Sequence, residues 1–519
     1  MSDSDHRRDP DPAAGWDAEH DVIVVGSGAG AMTGAFTAAA AGLDTLVLEK
    51  TPLLGGTSAY SGAACWLPGS QVQRRAGLDD STEAARTYLR ALLGEDAAEQ
   101  REAFLEHAPR LVEWLERDPA LEFEWRAFPD YFAAPGRMAL GRSIVPLDLP
   151  AERLGALAAL VRPAVDRDRA GLGHPDAPLT AGRALIGRLL LALTATGHGT
   201  VRTGTPMTEL VVSDGRVTGV VADSPRGPLR LRARRGVLLA AGGFEGDPAL
   251  RKANGVPGSA AWTMAPRGTN TGEPILAALR IGADAGLLDE AWWCPGLEQA
   301  DGGAAFTLGL RGGLVVDGSG RRFANESLPY DRMGRELARV EQAWFVFDSR
   351  TGGTPPAIVL PPGAPEQQLA AGAWVRADTL PELAERIGVP TGTLTATAER
   401  FDAFARSGVD EDFHRGEDPY DLFFADRAHG PNPCLVPLDR PPYYAARMVL
   451  SDLGTKGGLR TDARARVLDT GGRPIPGLYA AGNTGASFAG RVYPGPGIPL
   501  GSAMVFAHLA ARDLNGAAE

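Results

Sequence analysis

Near the C-terminal end, Tyr493-Pro494-Gly495-Pro496-Gly497 precedes the apolar run Ile498-Pro499-Leu500-Gly501-Ser502-Ala503-Met504. The prolines restrict φ, and the glycines let backbone N–H groups approach another molecule closely. Such a loop can aim one phenol hydroxyl and one glycine N–H at a single oxygen atom. Two donors on a carbonyl oxygen stabilise the enolate that forms when the neighbouring carbon loses a proton. Taken alone, the same residues also describe a surface turn. What the chain sets opposite the loop decides between the two.

The N-terminal segment supplies a partner. Asp21-Val22-Ile23-Val24-Val25 has the continuous apolar character of a strand buried on both faces. Gly26-Ser27-Gly28-Ala29-Gly30-Ala31 follows at once, then an Ala-rich helical pattern ended by Gly42, then the strand Thr45–Leu48 closed by Glu49. Gly26 permits the tight turn, Gly28 lets the backbone approach a pyrophosphate, and Ala31 takes the small position where helix and strand pack. The helix N-terminus favours the phosphate charge, and Glu49 suits ribose hydroxyls. An acid there disfavours a 2′-phosphate, which leaves FAD or NAD. The loop Lys50 to Gly62 then brings Gly55, Gly56, Thr57, Ser58, Ser61 and Gly62, glycines and hydroxyls suited to a pyrophosphate and a flavin. Two later strand-to-glycine passages, Gly236 to Phe244 with Ala241 and Gly242, and Gly477 to Asn483 with Gly482, complete a pattern that resembles the FAD signature of the glutathione-reductase-like flavoproteins. The N-terminus of the final helix, with Pro499 and Leu500, is expected to face the flavin ring. A second dinucleotide fingerprint is missing from the sequence, so no separate pyridine-nucleotide domain is expected.

The 519 residues exceed one ordinary core, so more than one domain is expected. A net charge of −12 with no basic stripe argues against nucleic acid as a partner. Cys65, Cys294 and Cys434 have neither CxxC nor metal-ligand spacing, which reads as a reducing, cytoplasmic setting with no metal site. Residues 1–20 read as a polar, disordered tail. No apolar run is long enough to span a membrane. The stretch Ala184–Thr194 reads as a buried helix, with weak membrane-surface contact as the other reading.

The expected fold class is α/β: a Rossmann-like, glutathione-reductase-like FAD-binding domain with an inserted α+β catalytic domain. The first part of the FAD domain is placed at 21–289, the inserted domain at 290–454 and the second part at 455–519. Thr82–Arg117 has helical spacing, and residues 134–180, rich in Pro, Gly and Ala, read as a loop-and-helix excursion. Val201–Ala240 shows alternating runs split at Asp214-Gly215 and Pro225-Arg226-Gly227, which predicts a small antiparallel layer.

Together these parts resemble the fumarate reductase and 3-ketosteroid dehydrogenase superfamily. Three passages resemble its 3-ketosteroid Δ1-dehydrogenase branch: Arg322 to Asp331, Leu453 to Asp462, and Tyr493 to Gly497. The resemblance implies FAD-dependent removal of two hydrogens from C1 and C2 of a 3-oxosteroid, with flavin N5 taking hydride from C1 and an external acceptor reoxidising the cofactor. It assigns the C2 base to Tyr330, the C3 carbonyl clamp to Tyr493 and Gly497, and the supporting phenol to Tyr131. An ordinary phenol has a pKa of about 10, so such a base needs help from neighbouring donors. The alternatives are attack at C4 and C5 as in a Δ4(5α)-dehydrogenase, and fumarate-type reduction. Carboxylate-reducing relatives typically carry His where this chain has Gly454, which counts against the latter; Arg491 keeps it in consideration.

Overall fold

The computed structural model describes residues 15–175 and 177–516. Its first layer is an eight-stranded sheet. The strands Ala18–Val25, Thr45–Leu48 and Gly199–Arg202 lie parallel on one side, and Gly227–Leu239 and Pro474–Ala480 continue the parallel order on the other. Leu46, Val47, Ile23 and Val24 are completely buried because helices cover one face and the antiparallel meander Met207–Leu239 the other. The meander turns at Asp214 and Gly215, both with positive φ, as a tight hairpin requires. Helices Ala29–Ala40 and Ile498–Leu514 cross backbone to backbone: a Cβ on Gly30 would meet Ala503, and one on Gly34 would meet Leu238 and Ala507.

The second layer is a seven-stranded antiparallel sheet centred on Tyr443–Thr455, which pairs with Ala291–Glu298, Ala343–Asp348 and Trp374–Ala377. Helix Tyr330–Leu337 lies on Ala291–Glu298 through Gly334, where a side chain would collide with Trp293 and Cys294.

One sequence expectation needs correction, and of the two readings of Ala184–Thr194 the buried helix holds. The polar tail does not extend to His20: the first strand starts at Ala18 and pairs with Leu231, Arg232 and Ala233. Its half-exposed start is held by backbone bonds and by Glu19 beside Arg232 (3.4 Å), so no apolar run marks it. Residues 1–14 lie outside the described residues. The membrane-surface reading of Ala184–Thr194 also fails. Helix Ala181–Ala195 is enclosed, and Arg188 donates to the carbonyls of Ala120, Leu147 and Asp148, so it presents no apolar face. Among the described residues, no helix is long and apolar enough to cross a membrane.

Candidate active site

A cavity of about 590 Å³ runs from the Gly26 turn to the final helix. Gly26, Ser27, Gly28, Ala29 and Gly30 line one end with Glu49 and Lys50; Gly56, Thr57, Ser58, Ser61 and Gly62 form a long wall; Ala241, Gly242, Gly482, Asn483, Pro499 and Leu500 line the rest. Helix Ala29–Ala40 starts at Gly28 without a side-chain cap, and the final helix starts likewise at Gly497. The first N–H of each is taken, by Ser58 Oγ (3.1 Å) for Ala29 and by Gly495 O (3.4 Å) for Ile498, while the positive ends of both helices still face the groove, where anionic or electron-rich ligand groups are favoured. Glu49 accepts from Ser27 Oγ at 2.5 Å and from Thr51 N–H at 2.8 Å, so the protein fixes both its oxygens while lone pairs remain for ribose hydroxyls. These residues have the donors and acceptors that the phosphates and ribose of FAD need.

Ala31 and Gly55, expected at the groove, are set behind its wall. Ala31 is packed into the core, which leaves its side chain no route to a ligand. Gly55 adopts φ 110° and donates its N–H to Ser27 Oγ at 2.9 Å, so it shapes the wall from behind. Asn270 lines the groove with no motif to mark it. Its backbone is left-handed (φ 53°), and its amide donates to Thr57 Oγ1 (3.2 Å) and to the buried carboxyl of Glu245. The local signal was the turn-forming sequence Thr269-Asn270-Thr271-Gly272.

Three phenols meet beside the flavin end of the groove. Tyr330, at the first position of helix Tyr330–Leu337, lies with its hydroxyl 2.7 Å from that of Tyr493. The Tyr131 ring is 5.3 Å from Tyr330 and 5.4 Å from Tyr493, centroid to centroid. The Tyr131 hydroxyl is buried and has no well-aligned hydrogen-bond partner among the described residues. An orphaned buried hydroxyl is unusual and points to a partner formed during function. Tyr330, Tyr493 and Gly497 line the groove; Tyr131 does not, and borders instead a separate outer cavity of about 380 Å³ with Tyr420 and Asp418.

The loop carrying Tyr493 is held by its carbonyls. Pro494 O accepts from Tyr131 N–H (3.0 Å) and Tyr88 Oη (2.7 Å), Pro496 O from Ser143 Oγ (2.6 Å), and Gly497 O from Trp66 N–H (3.1 Å). Gly497 has φ 89°, and a Cβ there would run into the Ala64 carbonyl. Its N–H has no protein acceptor among the described residues. Behind Tyr131, Asp130 accepts from Trp66 Nε1 (2.8 Å) and from the Arg142 guanidinium, which also bonds Asp80 (2.8 Å).

Burial pushes all three phenols up from the ordinary value, but not equally. As donors to its ionised oxygen, the hydroxyls of Tyr131 and Tyr493 draw Tyr330 back down, whereas the charge of Tyr330 pushes the other two further up. Tyr330 is thus the one of the three whose neighbours oppose the effect of burial. The groove wall next to it is apolar, with Phe128, Phe306, Ile358, Leu360 and Phe424.

The carboxylate-binding alternative finds no support. A Cβ at Gly454 would strike the side chain of Asn483, which occupies that space and accepts from Trp292 Nε1 at 2.9 Å. Arg491 is committed to Asp289 (2.6 Å) and Glu290 (2.7 Å).

A dinucleotide groove opening onto a buried cluster of phenols defines a flavin-dependent oxidoreductase. A family profile described as FAD binding domain matches residues 21–500. The 3-oxosteroid 1-dehydrogenase of Rhodococcus opacus is 44% identical, over 96% of this chain and 99% of the relative. The 4-oxocyclohexanecarboxylate 2-dehydrogenase of Sinomonas cyclohexanicum is 38% identical, over 96% of this chain and 93% of the relative. The crystal structure of 3-ketosteroid Δ1-dehydrogenase from Sterolibacterium denitrificans in complex with 1,4-androstadiene-3,17-dione superposes with a TM-score of 0.88 at 35% identity, covering 96% of this chain and 100% of that one. The chain belongs to the FAD-binding-domain family and, within it, to the family of the 3-oxosteroid 1-dehydrogenases. Its cofactor is FAD.

Proposed function

We propose that the protein dehydrogenates 3-oxosteroids between C1 and C2. The observation that carries this reading is the hydroxyl pair of Tyr330 and Tyr493, 2.7 Å apart on the apolar wall of the FAD groove. When bound, FAD supplies the two-electron acceptor for the hydride that leaves C1, so that C1 and C2 become doubly bonded. Tyr330 takes the proton from C2. The Tyr493 hydroxyl and the Gly497 N–H hold the C3 carbonyl oxygen and stabilise the negative charge that develops there. Tyr131, with its hydroxyl unpaired at rest, donates to the Tyr330 oxygen as that oxygen becomes anionic. A hydrogen bond to a charged acceptor is stronger than one between neutral groups, so this donor contributes most when it is needed.

The apolar wall of Phe128, Phe306, Ile358, Leu360 and Phe424 suits a flat fused-ring hydrocarbon better than a carboxylated monocycle. Residues 21–289 with 455–519 serve as the FAD-binding unit and 290–454 as the catalytic unit. An external acceptor reoxidises the cofactor. Cys65, Cys294 and Cys434 are free and buried, which supports a reducing compartment, the cytoplasm.

The test is anaerobic addition of a 3-oxo-4-ene steroid to the yellow holoenzyme. Bleaching of the flavin band, with formation of the 1,4-diene, is expected. Bleaching by 4-oxocyclohexanecarboxylate and not by steroid refutes the substrate assignment, and a 4,5-dehydrogenated product from a saturated steroid refutes the regiochemistry.

A further inference from the structure

Lys456 is completely buried, yet none of the steps above uses it. Its ammonium donates to the carbonyl of Val492 at 2.6 Å, one residue before Tyr493. It also lies 4.2 Å from the centre of the Trp292 ring, and the Trp292 and Tyr493 rings meet edge-on with centroids 4.8 Å apart. Trp292 is fixed at its edge by the bond from Nε1 to Asn483. On the other flank, Asp331 follows Tyr330 directly. Its Oδ2 accepts from Arg335 Nε at 3.2 Å, and its Oδ1 is buried without a hydrogen-bond partner among the described residues.

We infer that Lys456 is a positioning residue for the dehydrogenation: its positive charge fastens Val492 and Trp292 behind Tyr493 and so keeps the Tyr493 hydroxyl against that of Tyr330. One cation thereby steadies the Tyr493 side of the hydroxyl pair. This rests on the reading that the phenol cluster is where the ketone reacts.

A methionine would fill the space without the cost of burying an ammonium, so volume alone does not account for a lysine there. The cation–π contact and the carbonyl bond both need the charge. Burial opposes it and pushes Lys456 down to about 8, against the attraction of Asp331 and Glu290 and with the repulsion of Arg335 and Arg491. Asp331 and Arg335 face it from helix Tyr330–Leu337, Glu290 from the start of the second sheet, and Arg491 from the loop before Tyr493. Both guanidiniums stay charged across the neutral and mildly alkaline range, so the lysine is the cation that switches off there.

A consequence follows for the pH profile of flavin reduction. Tyr330 must lose its proton, which favours high pH, while Lys456 must keep its own. Below about 8 the rate climbs with pH; above it, loss of the lysine charge cancels further gain from the phenol.

The experiment is anaerobic single-turnover reduction of the flavin by a 3-oxo-4-ene steroid, from pH 6 to 10, in the wild type, Lys456→Met and Lys456→Arg holoenzymes. Lys456→Met is expected to slow reduction about 10–100-fold, since displacement of a reacting group by about 1 Å has that effect. FAD content and steroid affinity should change far less. Lys456→Arg, whose charge persists, should recover most of the rate and continue to climb where the wild type levels off. Wild-type speed in Lys456→Met overturns the inference, as does an unmoved bend in Lys456→Arg. If Lys456→Met does not retain FAD, the Arg profile alone decides. A wild-type enzyme that steroid does not bleach refutes the proposed function, and the positioning role falls with it.

Discussion

Tyr493→Phe removes one oxygen atom and little else. The side chain is 1% exposed and packed by the rings of Trp292, Tyr131 and Tyr330 at 4.8, 5.4 and 5.3 Å, so the phenylalanine ring has nowhere to move. The hydroxyl faces two tasks, since it lies 2.7 Å from Tyr330 Oη and is assigned to the substrate carbonyl. It carries a single proton. Once Tyr330 is ionised, Tyr493 can donate to the phenolate or to the developing enolate, not to both. Its loss therefore removes one charge-assisted bond, worth about 1.5–3 kcal/mol, in place of the sum of two. That converts to a rate about 10–100-fold lower, toward the lower edge of what losing one oxyanion donor has cost elsewhere. In the resting complex the donor faces a neutral ketone, where a hydrogen bond contributes about 1 kcal/mol, so steroid affinity should fall by roughly fivefold. The assay is stopped-flow flavin reduction across a range of steroid concentrations, which separates the limiting rate from the dissociation constant. A limiting rate within twofold of wild type refutes the donor role, and a loss beyond about 10⁴-fold shows that Tyr493, not Tyr330, takes the proton.

Tyr330→Phe should lower the limiting rate by at least about 10³-fold while steroid affinity changes by less than about tenfold; equal losses in both would show a binding residue instead of a base. Because burial keeps Tyr330 protonated near neutrality, wild-type reduction should rise about tenfold per pH unit below the bend, and the Phe variant should be flat. Gly497→Ala places a Cβ against the Ala64 carbonyl at a left-handed position, so both reduction rate and FAD retained on gel filtration should drop; normal values for both would contradict the loop's proposed rigidity. His508, which hydrogen-bonds Thr37 at 2.9 Å, is pushed down to about 3 by burial, with Arg512 and His107 adding to it. The unfolded chain takes up this proton below about 6.5, so stability is full above that pH and declines below it, by about 2 kcal/mol at pH 5. His508→Gln should flatten the fall of the melting temperature between pH 7 and 5, and an unchanged slope would place the acid sensitivity elsewhere.

Local rules made the cofactor half of the groove legible. Strand, glycine turn, helix and acid between Asp21 and Glu49 are contiguous, and each follows from its own residues. The Tyr493 loop was legible for the same reason, because Pro restricts its backbone and Gly admits the left-handed turn at Gly497 regardless of surroundings. Ala31 and Gly55 show where that reasoning stops: a small residue can shape a groove from behind as well as line it. The approach of Tyr131 to Tyr493 depends on a backbone bond from Tyr131 to Pro494, between segments far apart in the chain, and no nearby residue announces it. Asn270 owes its place to a left-handed backbone and to Glu245, a partner supplied by tertiary packing. Lys456 is the limiting case, since in sequence it is one polar residue among glycines and only the assembled core makes its charge unusual.

The two hydroxyls of the Tyr330–Tyr493 pair come from different halves of the molecule. The Tyr493 loop is moored by Trp66 and Ser143 of a separate three-stranded sheet and by Tyr88 of helix Thr82–Leu93, whereas Tyr330 rides on a helix resting on the second sheet. The bond between them is therefore an interlock. Separation of the halves would part the proposed proton acceptor and carbonyl donor together. On the proposed roles, a ketone is then deprotonated only while the halves are aligned, so a loosened enzyme of this design leaves no stranded enolate.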